Sequence, residues 1–270
     1  MAVDHYENFP VASILLPPRL RRPIALIYRF ARESDDFADE GDAPDAQRLA
    51  QLAGFSRELQ RIEHGEPPGI PWFRELAAVI REHQLPLDAF HDLLSAFAQD
   101  VTKKRYANYA EVLDYCHRSA DPVGRLLLAL YGAATAQNLH YSNAICSSLQ
   151  LINFWQDVAI DWQKDRVYFP QDEMRRYGIT EAQIGSRNAG GAWPGFMAFQ
   201  IHRTRELLHS GKPLGRILKG RIGLEMRMII AGGERILTKI AAVNGDVFRY
   251  RPALKKPDWA LMLGKSLMGT

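Results

Sequence analysis

Two pairs of aspartates, each with a spacing of four residues, are the residues of this chain best suited to chemistry. The first pair is Asp35 and Asp39, and the second is Asp157 and Asp161. Side chains at i and i+4 share one face of an α-helix, so each pair presents two carboxylates in the same direction. If the two faces are turned toward each other, they form a set of oxygen ligands suited to Mg²⁺ ions that carry a diphosphate.

The second pair belongs to a longer polar row. Asn153 lies four residues before Asp157, and Gln150 lies one turn earlier on nearly the same face. Burying several carboxylates without a counter-charge is prohibitive, so a metal ion or a cationic partner is expected beside this row. A single acidic pair is usually just a solvated face, but the flanks of this row are too apolar for a surface helix: Leu151, Ile152, Phe154, Trp155, Val158, Ala159, Ile160 and Trp162.

Apolar residues at helical spacing predict helices through nearly the whole chain. Pro23 is placed in the first turn of the first helix and Gly41 at its end. No alternating strand pattern is present, so an all-α bundle of about ten helices is expected, with its ligand chemistry in the core. The predicted helices cover approximately residues 20–40, 43–64, 72–83, 87–102, 106–117, 121–137, 140–163, 171–177, 194–210 and 212–243.

Composition indicates an intracellular protein that can bury a large core. The chain has 270 residues, of which 47% are hydrophobic, and this suits one large domain or two tightly joined ones. A net charge of +3 and the lack of interleaved basic and aromatic residues argue against nucleic acid as a partner. Cys116 and Cys146 are expected to be reduced core thiols. We find no signal peptide pattern and no apolar run of membrane-spanning length.

Five motifs, in order along the chain, resemble those of the squalene/phytoene synthase family. The resemblance covers essentially the whole length. The first acidic motif comprises Arg32, Asp35, Asp36 and Asp39. The second comprises Gln150, Leu151, Asn153, Asp157 and Asp161, followed by Asp165, Arg166, Tyr168 and Pro170. The other three are Tyr115-Cys116-His117 with Ala120, Val123 and Gly124, the pair His5 and Phe9, and the basic set Arg251, Lys255 and Lys256.

This resemblance implies a fold and a reaction class. The fold is a single domain over residues 1–270, an all-α isoprenoid-synthase helical bundle around a central cavity. Members of the family join two prenyl diphosphates head to head, or process the cyclopropyl intermediate of that joining. The expected partner is therefore a small prenyl diphosphate.

The resemblance also implies roles for individual residues. Several Mg²⁺ ions would be held by Asp35, Asp39, Asn153, Asp157 and Asp161. Phosphate oxygens would be held by Arg32 and Arg166, with Arg251 as a third cation. Further substrate contacts are expected at His5, Phe9, Tyr28, Asp36 and Gln150. Tyr115 is predicted as the hydroxyl nearest the reaction centre, with a core phenol bonded to the backbone as the alternative. The apolar walls would come from residues such as Phe9, Tyr28, Phe30, Val123, Leu127 and Leu151.

Departures from the family pattern narrow the predicted reaction within the family. Gln156 stands where the family commonly has Arg, and Ile160 stands where it commonly has Glu. A site with less positive charge suits one diphosphate better than two. The segments 4–13, 119–125 and 153–159 look most like those of the bacterial branch of the family that serves hopanoid biosynthesis. Those enzymes take presqualene diphosphate, ionise it, rearrange the carbocation and let water capture it as hydroxysqualene, with no NADPH.

Two other functions stay open at this point. Within the family, the chain could instead condense prenyl diphosphates to presqualene diphosphate, squalene or phytoene. In another class, it could be a non-catalytic assembly protein of the same fold, although both acidic rows are intact. We expect a cytoplasmic location, and leave open peripheral contact with the inner membrane and association with other enzymes of the pathway.

Overall fold

The computed structural model describes residues 17–268, apart from the side chains of residues 265, 267 and 268. This part of the chain consists of helices joined by loops, and its β-type pairing is limited to one isolated bridge between Arg105 and Val167. The all-α prediction is confirmed. The helices are α1 (Pro18–Asp39), α2 (Asp45–Glu63), α3 (Pro71–His83), α4 (Leu87–Thr102), α5 (Tyr109–Ser119), α6 (Asp121–Leu130), α7 (Ala136–Gln163), α8 (Gln171–Tyr177), α9 (Glu181–Gly185), α10 (Trp193–Ser210), α11 (Leu214–Ile217), α12 (Gly220–Ala242) and α13 (Lys256–Met268).

Most predicted helices are found, but several boundaries differ. The predicted helix over 212–243 is divided into α11 and α12, because the backbone of Leu218 and Lys219 is extended, with ψ angles of 132° and 162°. The predicted helix over 121–137 ends at Leu130. A turn with Gly132 at φ +64° follows it, and the Thr135 side chain caps α7 by accepting from the Asn138 backbone N–H. The short helix α9 and the terminal helix α13 were not predicted.

The first helix begins earlier than its proline suggested. α1 starts at Pro18, whose missing N–H is harmless in the first helical turn. The placement of Pro23 in that turn was wrong, because Pro23 lies inside α1. The helix ends at Asp39, two residues before Gly41, whose φ is +73°.

Two hydrophobic clusters make up the core, and the acidic helices belong to different ones. The first cluster is built from α1 to α4 with part of α6, and Phe30 of α1 is fully buried in it. The second is built mainly from α5, α7, α10 and α12, and Trp155 of α7 lies at its centre. The two acidic rows therefore lie on helices from opposite sides of the boundary between the clusters.

A close approach of α6 and α7 helps to hold the two clusters together. A Cβ atom at Gly124 would lie 2.2 Å from the Ser142 Oγ and 2.8 Å from the Cys146 Sγ. A larger residue at this point of α6 would therefore force the Ser142 and Cys146 side chains of α7 to move. Cys116 and Cys146 are both free thiols, as expected. Over the described residues, no helix is long and apolar enough to cross a bilayer. The assignment of residues 1–270 to one domain stays a prediction.

Candidate active site

The first acidic row lies in the last two turns of α1. The Arg32 guanidinium, one turn earlier, is 2.6 Å from Asp36, 3.2 Å from Glu40 and 3.5 Å from Asp35. All of these side chains are at least partly exposed, so the cluster faces solvent or a recess. Arg32 thus holds its positive charge beside several carboxylates, as a residue that binds a phosphate near a metal site would.

The end of α1 meets the end of α7 through ion pairs. The Asp39 carboxylate lies 2.9 Å from the Lys164 Nζ and 2.5 Å from the Arg166 guanidinium, both in the segment that follows α7. Burial alone would raise the pKa of Asp39, but the charges of Arg166 and Lys164 outweigh it and hold the pKa below its usual value. The two predicted rows are therefore brought together at their C-terminal ends.

Two carboxylates of the acidic rows, Asp35 and Asp161, have too little positive charge nearby to offset the cost of their burial. Burial and the charge of Asp39 raise the pKa of Asp35 to about 7. Burial and the charge of Asp157 raise the pKa of Asp161 well above its usual value, and Asp39 on the opposite helix adds to this effect. A site with this electrostatic character gains stability from any added cation.

Asp157 has a cationic partner from a distant part of the chain. Arg251, in the segment between α12 and α13, forks onto its carboxylate with Nε 2.5 Å from Oδ1 and a terminal nitrogen 3.0 Å from Oδ2. Asp157 is 9% exposed, so this two-pronged pair is largely shielded from water. The sequence placed Arg251 at the site as a third cation, and the structure brings it to the second acidic row.

Gln156, the departure from the family pattern, also contacts this segment. Its side chain is 1% exposed, and its Nε2 donates a hydrogen bond of 2.5 Å to the Pro252 carbonyl oxygen. The sequence suggested that the site loses one cation at this position. The structure shows that Arg251, next to Pro252, supplies a cation to the neighbouring residue Asp157.

Tyr115 lies in a buried hydrogen-bond network centred on Asp100, a residue that the sequence analysis missed. The Tyr115 hydroxyl donates to Asp100 Oδ2 over 2.5 Å, and the Tyr168 hydroxyl donates to Oδ1 over 3.3 Å. Arg166 donates to the Asp100 backbone carbonyl over 3.0 Å. Burial raises the pKa of Asp100 to about 6. The partner of Tyr115 is therefore a carboxylate rather than the backbone.

The hydroxyls of this network sit within a cluster of aromatic rings. Phe154 and Tyr168 stack with ring centroids 3.7 Å apart and planes within 6° of parallel. Tyr115 lies 5.8 Å from Tyr168 and 5.9 Å from Phe154, and Tyr106 stacks on Tyr168 at 5.6 Å. Burial raises the pKa of Tyr115 well above its usual value, so its ring is neutral and its π-face electron-rich. This aromatic cluster adjoins Asp100 and Arg166.

The donor set matches Mg²⁺ in chemical type. Carboxylate oxygens come from both helices, and Asp35 and Asp161 are held in surroundings that disfavour their negative charge. Within residues 17–268, no three His, Cys, Asp or Glu side chains already converge on one point. Instead, Asp39 forms ion pairs with Lys164 and Arg166, and Asp157 forms an ion pair with Arg251. The residues therefore fit divalent cations, and binding requires these ion pairs to rearrange.

The other predicted contacts fall in three groups. His5 and Phe9 lie outside the described residues. Tyr28, Gln150 and Asn153 are half-buried, as are Val123 and Leu127 on α6. The prediction that Phe30 and Leu151 line the cavity was wrong, because both are fully buried. Phe30 is enclosed by Phe55, Phe73 and Phe90, with ring centroids 5.0–5.9 Å away.

Comparison with known proteins agrees with this fold and identifies the family. The sequence profile of the squalene/phytoene synthase family matches residues 2–258, so the chain belongs to that family. It is 36% identical to hydroxysqualene synthase of Rhodopseudomonas palustris over 86% of this chain and 78% of that protein. It is 35% identical to hydroxysqualene synthase of Zymomonas mobilis over 83% and 75% of the two chains.

Comparison with a solved structure supports the same fold. Squalene synthase HpnC of Alicyclobacillus acidocaldarius is similar with a TM-score of 0.82 and 33% identity, over 89% of this chain and 90% of that one. The family and fold predicted from the motifs are confirmed.

Proposed function

We propose that this chain converts presqualene diphosphate to hydroxysqualene and diphosphate. The carbon–oxygen bond to diphosphate breaks with its electrons on the leaving group, the carbocation rearranges, and water adds with loss of a proton. The main observation behind this proposal is that the two acidic rows come together through the ion pairs of Asp39 with Lys164 and Arg166. The similarity to two proteins named hydroxysqualene synthase supports the choice of reaction.

The chain's own residues bind and orient the diphosphate. Arg32, Arg166 and Arg251 carry guanidinium groups at the ends of the two acidic rows, and such groups match phosphate oxygens geometrically. When bound, Mg²⁺ neutralises the charge of the departing diphosphate. The residues that would hold it are Asp35, Asp39, Asn153, Asp157 and Asp161.

The aromatic cluster stabilises the carbocation. The faces of Tyr115, Tyr168 and Phe154 are electron-rich and shielded from water. Asp100 accepts a hydrogen bond from each of the two tyrosine hydroxyls, which fixes the orientation of the two rings. Tyr115 is the hydroxyl that we place nearest the reacting carbon atoms.

Product analysis tests the proposal. Purified protein is incubated with Mg²⁺ and presqualene diphosphate in ¹⁸O-labelled water, with and without NADPH, and the extract is examined by mass spectrometry. We expect hydroxysqualene that carries one ¹⁸O atom, in equal amounts with and without NADPH. Squalene formed only with NADPH would contradict water capture.

The condensing alternative is tested by a separate incubation. Farnesyl diphosphate is supplied alone, with Mg²⁺ and the same protein. Our proposal requires that it remains unconsumed, whereas presqualene diphosphate as a product would establish the head-to-head condensation instead. An inert protein in both incubations would favour an assembly role.

We also infer a peripheral contact with anionic membrane surfaces. A cavity of about 890 Å³ opens between α10, α11, α12 and α13, and none of its lining residues belongs to the acidic site. Lys212, Arg216, Arg227 and Arg235 line it, together with the exposed apolar side chains of Ile217 and Leu261. Basic and apolar groups on one surface suit acidic headgroups and the lipid below them.

Vesicle sedimentation tests this contact. The variant K212E/K219E changes Lys212 of the cavity and the exposed Lys219 between α11 and α12, and it is compared with R57E/R81E, which makes the same charge change at exposed positions of α2 and α3. We expect only K212E/K219E to lose binding to vesicles that contain phosphatidylglycerol. Equal loss in both variants, or no binding by the unaltered protein, would contradict the contact.

A further inference from the structure

Gln156 ties the segment that carries Arg251 to the helix that carries the second acidic row. The Gln156 side chain is fully enclosed, and it donates to the Pro252 carbonyl oxygen over 2.5 Å. Pro252 directly follows Arg251 in the chain. The backbone of this segment is thus fixed to α7 one residue away from the guanidinium-bearing side chain.

The segment has a second anchor on another helix. Lys239 of α12 donates to the Ala253 carbonyl oxygen over 2.7 Å, and it also forms an ion pair with Asp258 of α13. Lys239 therefore holds the segment to α12 and α13, while Gln156 holds its backbone to α7. The two carbonyl anchors act on consecutive residues, so little freedom is left to the backbone there.

Arg251 occupies both carboxylate oxygens of Asp157. Its Nε lies 2.5 Å from Oδ1 and its terminal nitrogen 3.0 Å from Oδ2. An Asp157 carboxylate engaged in this fork has few lone pairs left to ligate a divalent cation. A cation at Asp157 and the Arg251 fork therefore compete for the same oxygens.

We propose that Gln156 is a positioning residue that holds Arg251 where it pairs with Asp157 before substrate binds and with the diphosphate afterwards. This inference rests on the proposed function of the acidic rows as a metal–diphosphate site. A metal ion supplies the positive charge that Asp157 loses, and the diphosphate supplies the negative charge that Arg251 needs. Since Gln156 fixes the Pro252 carbonyl, the guanidinium changes partner by side-chain rotation while its backbone stays in place.

The proposal predicts opposite effects on two affinities when Gln156 loses its donor. In Gln156→Met, a substitution of similar volume, Arg251 is held less firmly on Asp157. We expect Mg²⁺ alone to bind several-fold more tightly in calorimetry, because the competing ion pair of Arg251 with Asp157 is weakened. We expect inorganic diphosphate, titrated in saturating Mg²⁺, to bind about tenfold more weakly, the size of one charge-assisted hydrogen bond. A purely structural role for Gln156 would weaken both.

A double-mutant cycle separates positioning from an independent effect. Arg251→Gln should shift both affinities in the same directions as Gln156→Met, and the double variant should resemble Arg251→Gln alone. Additive effects, or unchanged affinities in Gln156→Met, would overturn the proposal. Gln156→Glu serves as a second variant if the methionine variant does not fold, because a carboxylate cannot donate to the Pro252 carbonyl.

These titrations need neither substrate nor turnover. They use Mg²⁺ and inorganic diphosphate with the full chain, so they report on Gln156 even if the reaction proposed above proves wrong. If neither probe binds the unaltered protein, the metal–diphosphate site itself fails, and this outcome overturns both proposals. If both bind and only the double-mutant cycle is additive, the positioning role alone is overturned.

Discussion

Asp39 at the end of α1 forms a 2.5 Å ion pair with Arg166 in the segment that follows α7. Arg166 is 7% exposed and also donates to the Asp100 backbone carbonyl over 3.0 Å. One guanidinium thus links α1, α4 and the end of α7. Because the two acidic helices belong to different hydrophobic clusters, this pair fixes how the two rows face each other.

Removing Arg166 should destabilise the protein. Arg166→Gln leaves the Asp39 carboxylate half-buried beside Asp100 without its closest counter-charge, and we expect a loss of about 3–5 kcal/mol in the free energy of unfolding. Urea denaturation at neutral pH measures it. The control is Arg105→Gln, which breaks more exposed ion pairs with Asp165 and Glu181 and should cost no more than about 1 kcal/mol. Equal losses in the two variants would refute the linking role of Arg166.

Replacing Asp157 should abolish turnover while the fold persists. Asp157→Asn keeps the shape of the side chain but removes the negative charge that we assign to metal binding. We expect the rate with presqualene diphosphate to fall on the order of 10²- to 10³-fold, since a metal contributes several kcal/mol to the stabilisation of a leaving anion. Circular dichroism checks the fold, and Asp42→Asn, at an exposed position, is the matched control. Turnover close to that of the unaltered protein would argue against the metal role.

The two tyrosines on Asp100 should behave differently in catalysis. Tyr115→Phe and Tyr168→Phe each remove one hydroxyl that donates to Asp100. Each variant should lose about 1.5–3 kcal/mol of stability, because each leaves a buried carboxylate with one donor fewer. Only Tyr115→Phe should strongly lower kcat, since we place that hydroxyl nearest the reacting atoms. Equal reductions of kcat would mean that neither hydroxyl is special.

Metal-free protein should lose stability as the pH rises from about 4 to about 7. The pKa of Asp35 is raised from 3.8 to about 7 and that of Asp100 to about 6, mainly by burial. An acid with a raised pKa binds its proton more tightly in the folded state, so its stabilising contribution is full at low pH and is lost through this interval. Asp39 and Asp258, whose pKa values are lowered, act with the opposite sign but below this interval.

Urea denaturation in EDTA at several pH values measures this dependence. Asp35→Asn should flatten it, and added Mg²⁺ should stabilise the protein more at pH 7 than at pH 5, since the metal binds the deprotonated carboxylates. Stability of the metal-free protein that rises through the interval would contradict the raised pKa values of these acids.

The sequence predicted the parts of the site that lie in regular spacings. The rows of α1 and α7 follow from four-residue repeats, and helical periodicity is a local property that needs no tertiary information. Asp100 escaped because it belongs to no four-residue acidic repeat and lies on the buried face of α4, beside Ala96, Phe97 and Val101. Such a position does signal a buried carboxylate that needs partners, and this was the clue available in the sequence.

The pairing of residues far apart in the chain could not be predicted, although the family motifs placed Arg251 at the site. Arg251 and Asp157 are 94 residues apart, and only the path between α12 and α13 brings them together. Phe30 was placed on the cavity wall as an implication of the family resemblance, and helical spacing does not say which of two apolar faces is packed. The aromatic contacts with Phe55, Phe73 and Phe90 decide that it lies in the core.

The most direct test is the location of the metal ions by anomalous diffraction from crystals grown with Mn²⁺ and inorganic diphosphate. The account predicts manganese peaks between α1 and α7, with ligands from Asp35 or Asp39 on one side and Asp157 or Asp161 on the other. It also predicts Arg251 on the diphosphate rather than on Asp157. Manganese bound to one helix alone, or absent from the acidic rows while diphosphate is present, would contradict the account.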